Sequence, residues 1–232
     1  MATENIIPFS GLSIITFTLG PAQTNAYLVG DTQGGTATVI DPAWDGDVIV
    51  KEAERQGWRI ASIWLTHAHF DHFGGAARVA DSGQPRPEVA LHPDDQSLWR
   101  FHGGAALFGF QDFDPGPEPT IPLRHGMLLQ LGSTEFEVRH TPGHTPGHVI
   151  FLARREKAVF CGDLVFQGSV GRTDLPGGDW ESMARSLREE ILSLPDDVRL
   201  FCGHGPQTTV GRERRANPFL REIDGSESYG PL

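Results

Sequence analysis

The chain has 232 residues, 38% of them hydrophobic, and a formal net charge of −11 at pH 7. That length and apolar content suit one large α/β unit with a substantial core, and the acidic balance argues against a protein that tracks a nucleic-acid backbone. No run approaches the roughly 18 apolar residues of a membrane span, no Lys or Arg precedes the first apolar stretch, and Cys161 and Cys202 are too few for a disulfide framework, so a cytoplasmic protein with no membrane partner is expected.

Residues 12–19, 25–29 and 36–41 are short apolar or β-branched runs separated by Gly, Pro and Asp, the pattern of an antiparallel meander. The period then changes. Residues 47–57 read as a helix stopped by Gly57, 60–65 as a strand, 73–80 as a helix, 88–91 as a strand and 93–100 as a helix with Pro93 in its first turn. After His102 about twenty residues rich in Gly, Pro and Phe have no clear period, as in a functional lid or a packed crossover. Strands are expected at 127–131, 134–139, 149–153 and 158–160. A helix follows at 180–194, capped by Asp179 and stopped by Pro195, then a strand at 198–201 and a helix at 211–221 around Pro218. These elements form one domain over residues 1–222, and 223–232 read as a polar tail, mobile from Asp224.

Chemistry concentrates at Thr66-His67-Ala68-His69-Phe70-Asp71-His72, where three imidazoles and a carboxylate fall within six positions directly after a strand. Imidazole and carboxylate are the usual ligands of divalent transition metals. In an extended segment His67 and His69 point the same way and can grip one ion, whereas the adjacent Asp71 and His72 diverge and suit a second. Gly74-Gly75 lets the backbone turn closely into the next helix, whose start helps keep His72 neutral. An internal echo extends the pattern. Val159-Phe160-Cys161-Gly162-Asp163 and Leu200-Phe201-Cys202-Gly203-His204 each run from an apolar strand through Cys and Gly to a possible ligand. Three strands thus end in metal-binding side chains, and His144 sits in the turn-rich Thr141-Pro142-Gly143-His144-Thr145-Pro146-Gly147-His148.

Together these residues resemble the metallo-β-lactamase superfamily, whose hallmark is His-x-His-x-Asp-His followed by separate His, Asp and His ligands. The resemblance covers residues 12–220 and implies a four-layer αβ/βα sandwich of two mixed β-sheets flanked by helices, an α/β fold with the site at one sheet edge. It implies that His67, His69 and His144 hold one ion, that Asp71, His72 and His204 hold the other, and that Asp163 bridges them. Five neutral imidazoles, two carboxylates and a hydroxide against two divalent ions leave one net positive charge, suited to activating water and attracting a carbonyl oxygen. Zinc is the first expectation, with iron and manganese accepted by the same donors. In that scheme Asp71 and Asp163 serve catalysis with the metal-bound hydroxide.

Within the superfamily, Asp163 as bridge differs from the Cys or Ser expected of true β-lactamases. Thr24-Asn25-Ala26-Tyr27, Gly171-Arg172-Thr173-Asp174, Gly203-His204-Gly205-Pro206 and Asn217-Pro218-Phe219-Leu220 resemble the glyoxalase II group, and its short bacterial hydrolases most; the chain departs from full-length members, whose C-terminal helical domain supplies much of the glutathione site, since 28 residues follow His204 here. The resemblance implies a hydrolase of S-lactoylglutathione or a related small acyl thioester. The related persulfide dioxygenases share Gly-Arg-Thr-Asp and use one iron at the counterparts of His67, His144 and Asp163. A lactonase would need the same metal set, and a non-catalytic metal-binding protein is the bland alternative. His140 and His148 flank the His144 turn and are expected to orient it, and Arg172 is a candidate substrate contact.

Overall fold

The computed structural model of the chain describes residues 5–9, 11–111 and 113–225. Its first half forms a sheet of seven strands paired in chain order: β1 (Asn5–Pro8), β2 (Leu12–Leu19), β3 (Thr24–Asp31), β4 (Thr36–Ile40), β5 (Arg59–Trp64), β6 (Glu88–Leu91) and β7 (Ile121–Pro122). The pairs are antiparallel up to β4 and parallel from β4 to β7. The second half supplies β8 (Leu128–Leu131), β9 (Thr134–His140), β10 (Val149–Ala153), β11 (Ala158–Gly162), a small separate hairpin of β12 (Val165–Phe166) and β13 (Ser169–Val170), then β14 (Arg199–Cys202) and β15 (Thr208–Thr209). Its six-stranded sheet runs β15-β14-β11-β10-β9-β8, with β11 and β14 parallel. Helices α1 (Gly46–Gln56), α2 (Phe70–Phe73), α3 (Ala76–Asp81) and α4 (Gln96–Arg100) accompany the first sheet, and α5 (Trp180–Ser186), α6 (Val210–Ala216) and α7 (Pro218–Ile223) the second.

Three buried clusters fill three interlayer spaces, and the two-residue period of the strands sorts side chains among them. From β2, Ile15 and Phe17 join the helix-facing core of α1 to α3, while Leu12 and Ile14 face the opposite sheet. From β11, Phe160 meets that same inter-sheet core, while Val159 and Cys161 pack against Met183, Leu187 and Leu220 of the second helical layer. Strands buried on both faces read as continuous apolar runs, which is why they stand out in the sequence. The inter-sheet core is aromatic: Trp64 lies edge-on to Phe136 at 5.1 Å, and Tyr27 edge-on to Phe160 at 5.2 Å. The layers are therefore helix, sheet, sheet, helix, with two mixed sheets.

Several element boundaries depart from the sequence expectation. The helix expected at 73–80 is two pieces, α2 and α3, broken at Gly74 and Gly75, where the Gly75 N–H leaves the helical ladder and donates to Ala43 O at 2.9 Å. The helix expected at 211–221 breaks at Asn217 (φ −78°, ψ 118°), because a residue before proline is pushed out of helical geometry. The helix expected at 180–194 passes into a π-helical turn at Leu187–Ile191. The Phe-rich stretch after His102 begins with a 3-10 segment, His102–Phe108, packed on α2 and α4. The expected mobile tail lies outside the described residues from position 226 onward.

Topology fixes where loops emerge. β4 and β5 are parallel in one sheet, β11 and β14 in the other, so each pair ends on one edge. Cross-sheet hydrogen bonds align the two edges: Asn25 N–H donates to Gly203 O at 2.7 Å and Val149 N–H to Thr66 O at 2.8 Å.

Candidate metal centre

Each strand end at this edge delivers one part of a histidine and aspartate cluster. Beyond β5, Thr66 to His69 run into α2, whose cap is His69 and whose first turn carries Asp71 and His72. His144 lies in the turn joining β9 to β10, Asp163 follows β11, and His204 follows β14. All seven metal-ligand candidates come together. One ligand atom from each of His67, His69 and His144 lies within 4.8 Å of the others, and the same holds for Asp71, His72 and His204. Asp163 stands between the triads: Oδ1 is 3.3 Å from His72 Nε2, and Oδ2 is 3.4 Å from His144 Nε2 and 3.5 Å from His204 Nε2.

Neighbouring hydrogen bonds set which ring nitrogen faces inward. Asp41, buried and next after β4, accepts from Thr66 N–H at 2.8 Å and from the Thr66 hydroxyl at 2.6 Å. That hydroxyl, having given its proton to a carboxylate, accepts from His67 Nδ1 at 3.0 Å, leaving the His67 Nε2 lone pair toward the site. His72 Nδ1 likewise donates to Asp41 Oδ2 at 2.9 Å, and His144 Nδ1 to the Arg172 carbonyl at 2.7 Å. The result is a set of buried inward atoms that make no hydrogen bond, His67 Nε2, His72 Nε2 and Asp163 Oδ1, the last two 3.3 Å apart. Buried polar atoms are normally satisfied, and two imidazoles and a carboxylate converging unsatisfied are the donor set of a divalent cation. His69 Nδ1 and His144 Nε2, 2.9 Å apart, also need a proton or cation between them.

Electrostatics divide the cluster in two. Burial, then the neighbouring imidazoles, hold His67 well below the ordinary histidine range, and burial with His144 lowers His69 to about 3, so both stay neutral. The other triad prefers positive charge. Burial would lower His72, but Asp163, Asp71 and Asp41 outweigh it and raise it well above the usual value. Burial would also lower His204, which Asp71 and Asp163 raise instead. Asp71 is lowered to about 2 despite burial, chiefly by His72 and His204, and Asp163 is held below the usual carboxylate range by His72, His204 and His144.

Of the remaining candidates, neither His140 nor His148 hydrogen-bonds to His144, whose Nδ1 is held by the Arg172 carbonyl. His148 Nε2 accepts from Asp163 N–H at 3.2 Å and its Nδ1 pairs with the Thr141 hydroxyl at 2.8 Å. His140 Nε2 donates to Pro146 O at 2.8 Å and its ring stacks on His92 at 4.1 Å. Arg172 touches the cluster through its carbonyl; its guanidinium turns outward to Asp174 at 2.6 and 2.7 Å. Sequence reasoning missed Asp41 and Asp95, and it marked Thr24, whose hydroxyl donates to Asp71 Oδ2 at 2.8 Å, only as part of the Thr24-Asn25-Ala26-Tyr27 segment. The signal for Asp41 was present, since Ile40-Asp41 repeats the pattern of an apolar strand ending in a possible ligand.

The fold and this cluster define a metal-dependent hydrolase of metallo-β-lactamase type. Residues 19–204 match the metallo-β-lactamase superfamily, and the chain belongs to it. The hydroxyacylglutathione hydrolase GloC of Haemophilus influenzae is 35% identical over 198 residues, covering 85% of this chain and 93% of that protein. Among solved structures, the BLEG-1 B3 metallo-β-lactamase superposes with a TM-score of 0.83 at 36% identity, covering 89% of this chain and 99% of that one. TTHA1623 in a di-iron-bound form superposes at 0.79 with 43% identity, covering 88% and 99%.

Proposed function

We propose that the chain holds two divalent ions, one on His67, His69 and His144, the other on Asp71, His72 and His204, with Asp163 shared, and that it hydrolyses a small acyl thioester of the glyoxalase II type. The observation that carries this reading is the pair of triads facing one carboxylate, with three buried atoms left unpaired toward the space between them. Ions held there supply Lewis acidity toward an acyl carbonyl and toward water. The donors accept zinc, iron or manganese; zinc is our first assignment, and the di-iron form of TTHA1623 gives iron a direct claim.

The protein's own part is positional and electrostatic. Asp71 and Asp163, both held in the ionised form, act as ligands and negative charge rather than as proton donors at neutral pH. Asp41 fixes the ring orientations of His67 and His72, and the Arg172 carbonyl that of His144, so each ring turns its Nε2 toward the site. An ion held by the neutral His67 and His69 would have less of its charge compensated than one beside Asp71, and would supply the stronger Lewis acidity.

The thioester assignment rests on the similarity to GloC and on the Gly171-Arg172-Thr173-Asp174 and Gly203-His204-Gly205-Pro206 segments. Metal analysis with one activity panel tests it: hydrolysis of S-lactoylglutathione, opening of a lactone, oxygen uptake with glutathione persulfide and, because of BLEG-1, hydrolysis of a β-lactam. Two ions per chain with thiol release are expected. One iron, oxygen consumption and no thioester turnover would replace this reading with that of a dioxygenase. His204→Ala should lose the ion of its own triad, and undiminished turnover with a single ion would count against a binuclear mechanism.

A further inference from the structure

Asp95 is completely buried and lies outside both triads. It ends the 3-10 turn Pro93–Asp95 after β6 and occupies the N-cap position of α4, where an aspartate ordinarily accepts from the first helical N–H groups. Its side chain makes no such cap bond. Instead Oδ2 accepts from Ala68 N–H at 2.9 Å and from the Thr145 hydroxyl at 2.8 Å, and Oδ1 accepts from Gly147 N–H at 2.6 Å. Ala68 is the residue between His67 and His69, and Thr145 follows His144. A Cβ on Gly147 would stand 2.6 Å from Asp95 N, so the two loops close on this aspartate with no side chain between them.

We infer that Asp95 is a positioning residue which sets the spacing of His67, His69 and His144 and thereby the affinity of that triad for its ion. The inference rests on the ligand assignment proposed above. Its physical basis is the number of acceptors required. Three donors from two loops separated by about 75 positions converge on one point, and only a carboxylate offers two oxygens able to accept all three. In Asp95→Asn the amide oxygen could still accept from Ala68 and Thr145, but the amide nitrogen would then face the Gly147 N–H, donor against donor. One loop must move relative to the other. The Asp71, His72 and His204 triad shares no hydrogen bond with Asp95 and should be indifferent to the change.

Cobalt(II) alone is the probe, titrated into the full-length chain after metal removal and followed by its visible absorption. The wild type should take up two ions, the site at His67, His69 and His144 being identified by its loss in His69→Ala. Asp95→Asn should bind about 10–100-fold more weakly at that site, the usual size of an outer-shell effect, and normally at the other. Thr145→Val, which removes a single buried hydroxyl, should weaken the same site less, and it decides the matter if Asp95→Asn does not fold. Unchanged affinity in both variants, or equal weakening of the two sites, would overturn the inference while leaving the metal assignment standing. A wild type that takes up no cobalt would instead remove the metal assignment itself.

Discussion

At the scale of single residues, the cluster depends as much on what is left out as on what is present. Gly203 precedes His204, and a Cβ built on it would lie 2.1 Å from Asp163 Oδ1 and 2.8 Å from His72 Cε1. Neither contact is tolerable, and neither neighbour is the free end of a flexible chain. Gly203→Ala should therefore displace the Asp163 carboxylate and cost about 10–100-fold in metal affinity or turnover, as losses around a metal site usually do. Metal content after dialysis, set beside the melting temperature, is the check; a fully loaded, fully active variant would mean that the loop yields more readily than its packing implies. Much of this was legible in the sequence, because three histidines and an aspartate in six positions have few structural explanations. Asp41 was marked only by its place after an apolar strand, and Asp95 not at all. A lone aspartate beside a loop is ordinarily a turn former or a cap, and what distinguishes these two is a set of donors 25 to 52 positions away in the chain.

At the scale of elements, the segment that follows Asp163 is tied to the C-terminal helices by the Gly168 N–H, which donates to Glu213 Oε2 at 2.7 Å, and by a buried amide. Asn217, fully buried between α6 and α7, accepts from Phe219 N–H at 3.1 Å and donates to Ser169 O at 2.9 Å and to Glu213 Oε2 at 3.0 Å. It thus caps α7 and holds the β12–β13 hairpin, from which Phe166 lies edge-on to the His204 ring at 5.8 Å. Asn217→Ala removes a cap and leaves a carbonyl and a carboxylate short of a partner, which should cost about 2–4 kcal/mol. Urea unfolding should record this as a lower midpoint at constant slope, and a loss below about 0.5 kcal/mol would show that water replaces the amide. The sequence marked this motif without revealing its purpose. It also joined α6 and α7 into one helix, because apolar spacing continues across Pro218 while the backbone does not. The two-sided strands were easy to read; β7, β12, β13 and β15, at two residues each, are too short to carry a period.

At the scale of the whole molecule, the cluster is where the two sheets are fastened. Its side chains come from loops beyond β5 in one sheet and β9, β11 and β14 in the other, with Asp41 beyond β4 bracing both triads. Tyr27 of β3 reaches across to donate its hydroxyl to Cys202 O at 2.5 Å, and Asn25 donates to Cys202 O and Gly205 O at 3.0 and 2.8 Å. The Thr24-Asn25-Ala26-Tyr27 segment is therefore a clamp on the His204 loop. Ions bound across this seam as proposed would stabilise the folded chain alone, since the unfolded chain has no assembled triad. For one site with free metal at 1,000 times its dissociation constant, linkage contributes about 4 kcal/mol. In a chain of this size each kcal/mol moves the melting temperature by about 2–4 °C, so chelation should lower it by about 8–16 °C, and re-addition of metal should restore it. A melting temperature unmoved by chelation, with metal loss verified by analysis, would show that the protein hydrogen bonds across the seam suffice to hold the sheets and that the ions serve chemistry only.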